Sequence, residues 1–276
     1  MTATIIDGRA VADLVLDECI TKILGASRTP GLAVLIVGEN PASQVYVRNK
    51  VRSCERVGLN SKKLELPADI TEDALLNEIN TLNTDDSIHG ILLQLPLPAH
   101  INADRVLLAI TPEKDVDGFH PENMGRLASG LPALQPCTPR GCMRLLQHAG
   151  IDPAGKRAAI LGRSNIVGKP MALMLINAGA TVSVCNSKTP SLSEITLSAD
   201  ILVAAVGRPK MAGADLVKPG AAVIDVGINR TETGIVGDVD YDSVCEVAGH
   251  ITPVPGGVGP MTIAMLVANT LQAAGV

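Results

Sequence analysis

The sequence predicts an α/β protein built from two doubly wound parallel-sheet domains with a cleft between them. Three observations predict it. Short apolar runs such as Leu32–Val37 alternate with segments of helical period, the pattern of strands buried on both faces and joined by crossover helices. A polar, turn-rich stretch, Thr111–Gly118, with weakly periodic residues from Pro121 to Pro136 after it, separates two such sets. The second set opens on a buried strand, Ala158–Leu161, that runs into Gly162 and then a helix, so the second domain reads as Rossmann-like.

Taken in order, Thr4-Ile5-Ile6 reads as a short strand, and Asp7 can cap a helix from about Arg9 to Leu24. Leu32–Val37 is the next strand, broken by Gly38. Asn40 suits an N-cap and Pro41 the first helical position, where no amide donor is needed. That helix should run to about Val57 and stop at Gly58. Tyr46 and Lys50 share one of its faces, with Ser43 one turn earlier. Lys63–Leu66 alternates as a strand, Thr71 caps a helix through Leu75, Ile79 and Leu82, and Ile88–Leu95 is a third buried strand. Pro96-Leu97-Pro98 ends it, because proline cannot donate to a ladder. Asn102 caps a helix through Val106 and Ile110.

The domain boundaries are placed at 1–118 plus 262–276 for the first domain and 119–261 for the second. In the second, Thr138-Pro139 starts a helix that ends at Gly150. Strands follow at Ala158–Leu161, Thr181–Val184, Ile201–Val206 and Ala222–Val226, with a helix over Met171–Ile176 between the first two. Pro253–Pro260 leads into a last helix over Ile263, Met265, Leu266 and Leu271.

Composition limits the function classes. The 276 residues are 46% hydrophobic and 18% charged, and the net charge of −5 points to neither a nucleic-acid nor a membrane surface. The aromatics are Tyr46, Phe119 and Tyr241, so the core is aliphatic and a tyrosine at position 46 is not routine. The six cysteines form no CxxC pair and no zinc spacing, and most sit in apolar periodic segments, which reads as buried free thiols. No signal peptide and no apolar run of about 18 residues is visible, which leads to the expectation of a reducing, cytosolic compartment.

Several stretches carry chemistry. Gly162 and Gly168 around the strand–helix turn would let phosphates approach backbone, although the GxGxxG spacing is missing and a plain βα turn is an alternative. The next strand ends at Cys185-Asn186-Ser187-Lys188 without the acid that a free ribose 2′-hydroxyl usually meets. Arg163, Ser187 and Lys188 instead suit a 2′-phosphate, favouring NADP over NAD. Tyr46-x-x-x-Lys50 matches the pair used by short-chain dehydrogenases, but here it lies far before the glycine turn rather than after it. The order excludes that family and puts the pair on a separate domain facing the cofactor, unless it is a packing tyrosine and a surface lysine. Gln94 closes an apolar strand at the same sheet edge and needs partners, or merely caps the strand. Asp115-Val116-Asp117-Gly118 offers a carboxylate for an amidine-like ring edge or forms an Asx-type turn, and no further ligand cluster argues for a metal. Pro253–Pro260 makes a shaped backbone surface before the last helix, or a linker.

Together Gly38–Ser43, Tyr46–Lys50, Gln94–Pro98, Pro112–Gly118, Gly162–Gly168 and Pro253–Thr262 resemble the bifunctional methylenetetrahydrofolate dehydrogenase/methenyltetrahydrofolate cyclohydrolase (FolD) family over essentially the full length. The resemblance implies that 5,10-methylenetetrahydrofolate is oxidised with NADP+ to the 5,10-methenyl cation, which water then opens to 10-formyltetrahydrofolate. It implies Lys50 as the acid/base and polarising group, Gln94 as the residue that holds it, and Tyr46 as a folate-stacking residue. It further implies Asp117 on the pterin edge, and Pro255, Gly256, Gly257, Val258 and Gly259 as the folate pocket wall. Gly162, Arg163, Ser164, Ser187 and Ile228 would hold NADP, and a homodimer would form through the cofactor domain. A lysine works as a base only in its neutral form, which burial beside a cationic substrate favours. A same-fold dehydrogenase with weak or absent cyclohydrolase activity, or a non-catalytic folate binder, are the alternatives.

Overall fold

The computed structural model describes residues 2–232 and 234–276, without the side chains of residues 41–43 and 45. In chain order the elements are β1 (Thr4–Ile5), α1 (Gly8–Leu24), β2 (Gly31–Val37), α2 (Pro41–Val57), β3 (Asn60–Leu66), α3 (Glu72–Thr84), β4 (Gly90–Leu93), α4 (Ala103–Leu108), α5 (Pro121–Ala128) and α6 (Cys137–His148). Then come β5 (Arg157–Leu161), α7 (Gly168–Asn177), β6 (Thr181–Cys185), α8 (Leu192–Thr196), β7 (Ile201–Ala204), β8 (Ala222–Asp225), β9 (Asn229–Thr231), β10 (Gly234–Val236), α9 (Tyr241–Cys245), β11 (His250–Ile251) and α10 (Val258–Ala273).

The chain forms two compact units, residues 14–137 with 263–276 and residues 1–13 with 138–262. The first holds a three-stranded parallel sheet of order β3-β2-β4. All seven residues of β2 are buried, because the strand is central and covered on both faces, which is why it reads as one apolar run. Leu35, Leu75, Ile79, Ile91, Leu93 and Val106 pack into its core. Each such side chain contributes about 1.5–3 kcal/mol. β3 is one of the two edge strands, and its residues are exposed or half-buried.

The second unit holds a six-stranded sheet of order β1-β11-β8-β7-β5-β6, parallel throughout. In both sheets the chain reverses direction at one strand. β2 has β3 on one side and β4 on the other, and β5 has β6 on one side and β7 on the other. Carboxyl ends of strands at such switch points are where open α/β sheets bind ligands.

Two features differ from the sequence reading. The N-terminal strand, assigned to residues 1–118, instead extends the six-stranded sheet, pairing Thr4 with His250 and Ile5 with Ile251. Its ladder continues through Ile6 N–H to the Ile251 carbonyl at 2.8 Å. Two residues of strand carry no periodicity that specifies a partner so distant in the chain. The stretch from Pro121, read as weakly periodic, opens with α5 and lies in the first unit. His120 caps that helix through Nδ1, which accepts from Glu122 N–H at 3.2 Å, with Pro121 at the start. Histidine is not among the usual capping residues, so the start signal is weak in sequence.

Candidate active site and cofactor cavity

The α2 helix has the bounds its punctuation predicts, Pro41 to Val57, and Gly58 after it takes the left-handed conformation at φ 83°. Its period turns Tyr46 and Lys50 to one side. Lys50 is only 4% exposed, rare for a lysine. Its Nζ donates to Gln94 Oε1 at 3.2 Å and lies 4.7 Å from the centroid of the Tyr46 ring, a cation–π contact. Gln94 follows β4 directly. Its backbone N–H extends the ladder to the Leu35 carbonyl at 2.9 Å. Its Nε2 donates to the Leu95 carbonyl at 2.7 Å, which fixes the amide so that the oxygen faces the lysine. Ser43 belongs to the same helix, but its side chain lies outside those described.

The two acids of the following turn divide their work. Asp115 is buried and accepts from Gly118 N–H at 3.1 Å, His120 N–H at 2.7 Å and Asn123 Nδ2 at 3.2 Å. It shapes the turn. Gly118, at φ 76°, cannot carry a side chain because a Cβ would meet the Gln135 backbone at 2.4 Å. The carbonyl between the two acids, that of Val116, accepts from Asn269 Nδ2 at 2.7 Å and Cys137 Sγ at 3.2 Å. Asp117 is left with no hydrogen-bond donor among the described residues. Burial raises its carboxyl to about 6, against the pull of the Lys50 ammonium and with a smaller push from Asp115. Part of its side chain still reaches solvent. An enclosed acceptor without a donor, beside a buried cation, is a group left available to a ligand. Cys54, one turn after Lys50, is a buried thiol pushed up to about 12 by its surroundings. All six cysteines are free and buried.

A second site lies at the switch point of the six-stranded sheet. A cavity of 540 Å³ is lined by the β5 end with Gly162, Arg163 and Ser164, by Cys185 to Ser187 after β6, and by Ala205, Val206 and Arg208 after β7. Gly162 has φ 114°, and a Cβ there would lie 2.1 Å from the Ala205 carbonyl oxygen. Only glycine allows that approach of two strand ends. Ser164 Oγ accepts from the N–H groups of Val167 and Gly168 at 3.1 and 3.4 Å and so ties the turn to the start of α7. Leu192 and Met211 give the cavity apolar walls, and none of its described lining residues is an Asp or Glu.

Of the residues singled out in sequence, Tyr46, Lys50, Gln94 and Asp117 come together in the unit of residues 14–137. Gly162, Arg163, Ser164 and Ser187 come together around the cavity in the other unit. Pro255–Gly259 belong to that same unit, with Gly257 and Val258 buried and Pro255 exposed. Ile228 does not line the cavity; it is 59% exposed, and its Cδ1 lies 3.8 Å from where a Cβ of Gly259 would stand. Arg208, and the Asn123 and Asn269 that frame the Asp115–Gly118 turn, were not singled out. Arg208 stands four residues past the end of β7, and the frame's partners are distant in sequence, so neither carries a local signal.

Two family models cover most of the chain. The tetrahydrofolate dehydrogenase/cyclohydrolase catalytic domain matches residues 6–117, and the NAD(P)-binding domain of the same enzymes matches residues 136–276. The chain belongs to this family. It is similar to the bifunctional protein FolD of Paracidovorax citrulli, 59% identical over 99% of this chain and 98% of that one. The crystal structure of the bifunctional FolD of Campylobacter jejuni is 52% identical with a TM-score of 0.97, covering 99% of both chains. The FolD of Trypanosoma brucei, solved with NADP cofactor and an inhibitor, is 41% identical with a TM-score of 0.93, covering 99% of this chain and 97% of that one. Among the described residues no helix is long and apolar enough to cross a membrane.

Proposed function

We propose that this protein is the bifunctional one-carbon enzyme that oxidises 5,10-methylenetetrahydrofolate with NADP+ and hydrolyses the resulting methenyl cation to 10-formyltetrahydrofolate. The observation that carries the reading is the buried Lys50, held by an oriented Gln94 and a tyrosine face beside Asp117, which has no donor among the described residues. NADP, when bound, supplies the hydride acceptor. The 540 Å³ cavity, with Arg163, Ser187, an apolar wall and no acid among its described lining residues, fits an NADP adenosine end carrying a 2′-phosphate.

The chain's own residues divide the remaining tasks. Asp117 accepts from the guanidine-like edge of the pterin, a pairing that satisfies a carboxylate otherwise without donors. Tyr46 stacks on the folate and, through its ring, helps hold Lys50. Lys50 polarises the folate during oxidation, takes a proton from the water that adds to the methenyl carbon, and returns one to the ring nitrogen that leaves. Gln94 keeps the Lys50 nitrogen in place.

The test mixes protein, 5,10-methylenetetrahydrofolate and NADP+, and follows NADPH and methenyl absorbance together. Steady NADPH with little methenyl accumulation is the expected result. Persistent methenyl would reduce the enzyme to a dehydrogenase, and no signal would reduce it to a folate binder. We also infer a homodimer through the β6 edge, where Val184 and Ile176 are 40% and 53% exposed. A monomer by light scattering would remove that part. A cytosolic location suits the six free thiols.

A further inference from the structure

The cavity at the switch point holds a second guanidinium that the roles given so far leave unused. Arg163 enters it from the turn after β5, and Arg208 enters it from the loop after β7, on the other strand of the switch. The Arg208 loop is fixed to an unusual degree. Asp238, fully buried, accepts from three consecutive backbone N–H groups, with Oδ2 taking Val206 at 2.6 Å and Gly207 at 2.9 Å, and Oδ1 taking Arg208 at 2.9 Å. Asn229 Nδ2 donates to the same Oδ1 at 2.8 Å.

A second carboxylate holds the first. Asp225 closes β8, and its Oδ1 accepts from Asp238 N–H and Gly227 N–H, each at 2.9 Å. Its Oδ2 accepts from Val239 N–H at 3.0 Å, and its own N–H donates to Thr252 Oγ1 at 2.8 Å. Two buried acids thus use their acceptor capacity on backbone, and the segment they order presents an arginine to the cavity. Such order is costly for an exposed loop unless the direction of its side chain matters.

We propose that Arg208 is a specificity residue for NADP, giving the 2′-phosphate a second guanidinium opposite Arg163. This deepens the NADP reading above and rests on it. A phosphate carries enough acceptor oxygens for two guanidinium forks, and neither fork has a comparable partner on a free ribose hydroxyl. With no acid among the described lining residues, the pair suits an anion.

The test is calorimetric binding of 2′,5′-ADP and of 5′-ADP to the intact protein and to Arg208→Gln. Arg208 is exposed, so the substitution leaves the fold undisturbed. The expected result is a loss of roughly 10- to 100-fold in 2′,5′-ADP affinity, the effect of one charged hydrogen-bonding group, with 5′-ADP unchanged. Arg208→Gln that keeps the wild-type preference for 2′,5′-ADP, or that weakens both ligands equally, overturns the proposal. Wild-type protein that binds the two ligands alike removes the underlying NADP reading instead, a separate and recognisable failure.

Discussion

Asp117 and Asp238 are both enclosed carboxylates, one in each unit, and they are opposites. Asp238 accepts four hydrogen bonds and is fully buried. Asp117 accepts none among the described residues, and burial raises it to about 6. The difference separates two uses of one side chain. A carboxylate saturated by backbone N–H groups holds a loop and has nothing left for a ligand. A carboxylate deprived of donors weakens the fold and awaits a ligand that brings them. Within a single turn Asp115 and Asp117 repeat the contrast, the first committed to three donors and the second to none.

The units can be broken separately. Lys50→Met removes the amine while filling its buried site with an apolar chain of similar length. Cyclohydrolase activity should fall by about 10²- to 10⁴-fold, with 2′,5′-ADP affinity unchanged by calorimetry. Undiminished hydrolysis would deny Lys50 its proton work, and lost nucleotide binding would mean that the two sites are not independent. Asp238→Ala comes next. It strands several buried N–H groups and should cost about 3 kcal/mol or more, read from the urea midpoint. A change under about 1 kcal/mol would erase the contrast with Asp117.

Asp117→Asn should act in the opposite direction. In the folded chain this carboxyl keeps its proton to about pH 6, whereas in the unfolded chain it ionises near its ordinary value of 3.8. Between those limits the folded state binds more protons, so this group's contribution to stability falls as pH rises through the window and stays low above it. The amide cannot ionise. The variant should therefore be more stable than wild type above about pH 7, by on the order of 1–2 kcal/mol, with the gain vanishing near pH 4, while folate affinity drops. Unfolding midpoints at the two pH values check it, and an equal gain at both would rule out the ionisation account. The smallest effect belongs to Ser187→Ala, which should weaken 2′,5′-ADP by about 3- to 10-fold without moving the unfolding midpoint. A shifted midpoint would make Ser187 part of the frame rather than of the cavity surface.

The chain's local signals were explicit where the physics is local. Pro41 and Gly58 bound α2, and the period of that helix places Tyr46 beside Lys50. The apolar run of β2 announces a strand covered on both faces. Gln94 was conspicuous as a polar group closing an apolar strand, and Lys50 is its partner. Arg208 escapes that rule because it stands four residues beyond β7, and Asp238 lies in a loop and announces nothing until its donors from the segment after β7 are placed around it.

By itself, then, the sequence determined most of the strands and helices and the pairing of Tyr46 with Lys50 on one helix face, because propensity, capping and period act over a few residues. Only the tertiary structure decided that β1 joins the distant β11 and that Asp115 is tied to three donors while Asp117 has none among the described residues. It also decided that two arginines meet in one cavity. Those outcomes depend on which backbone donors and strand edges arrive from far along the chain. At the helix that carries Tyr46 and Lys50 the two levels meet: its period aligned the pair, and the end of β4 supplied the amide that holds the lysine.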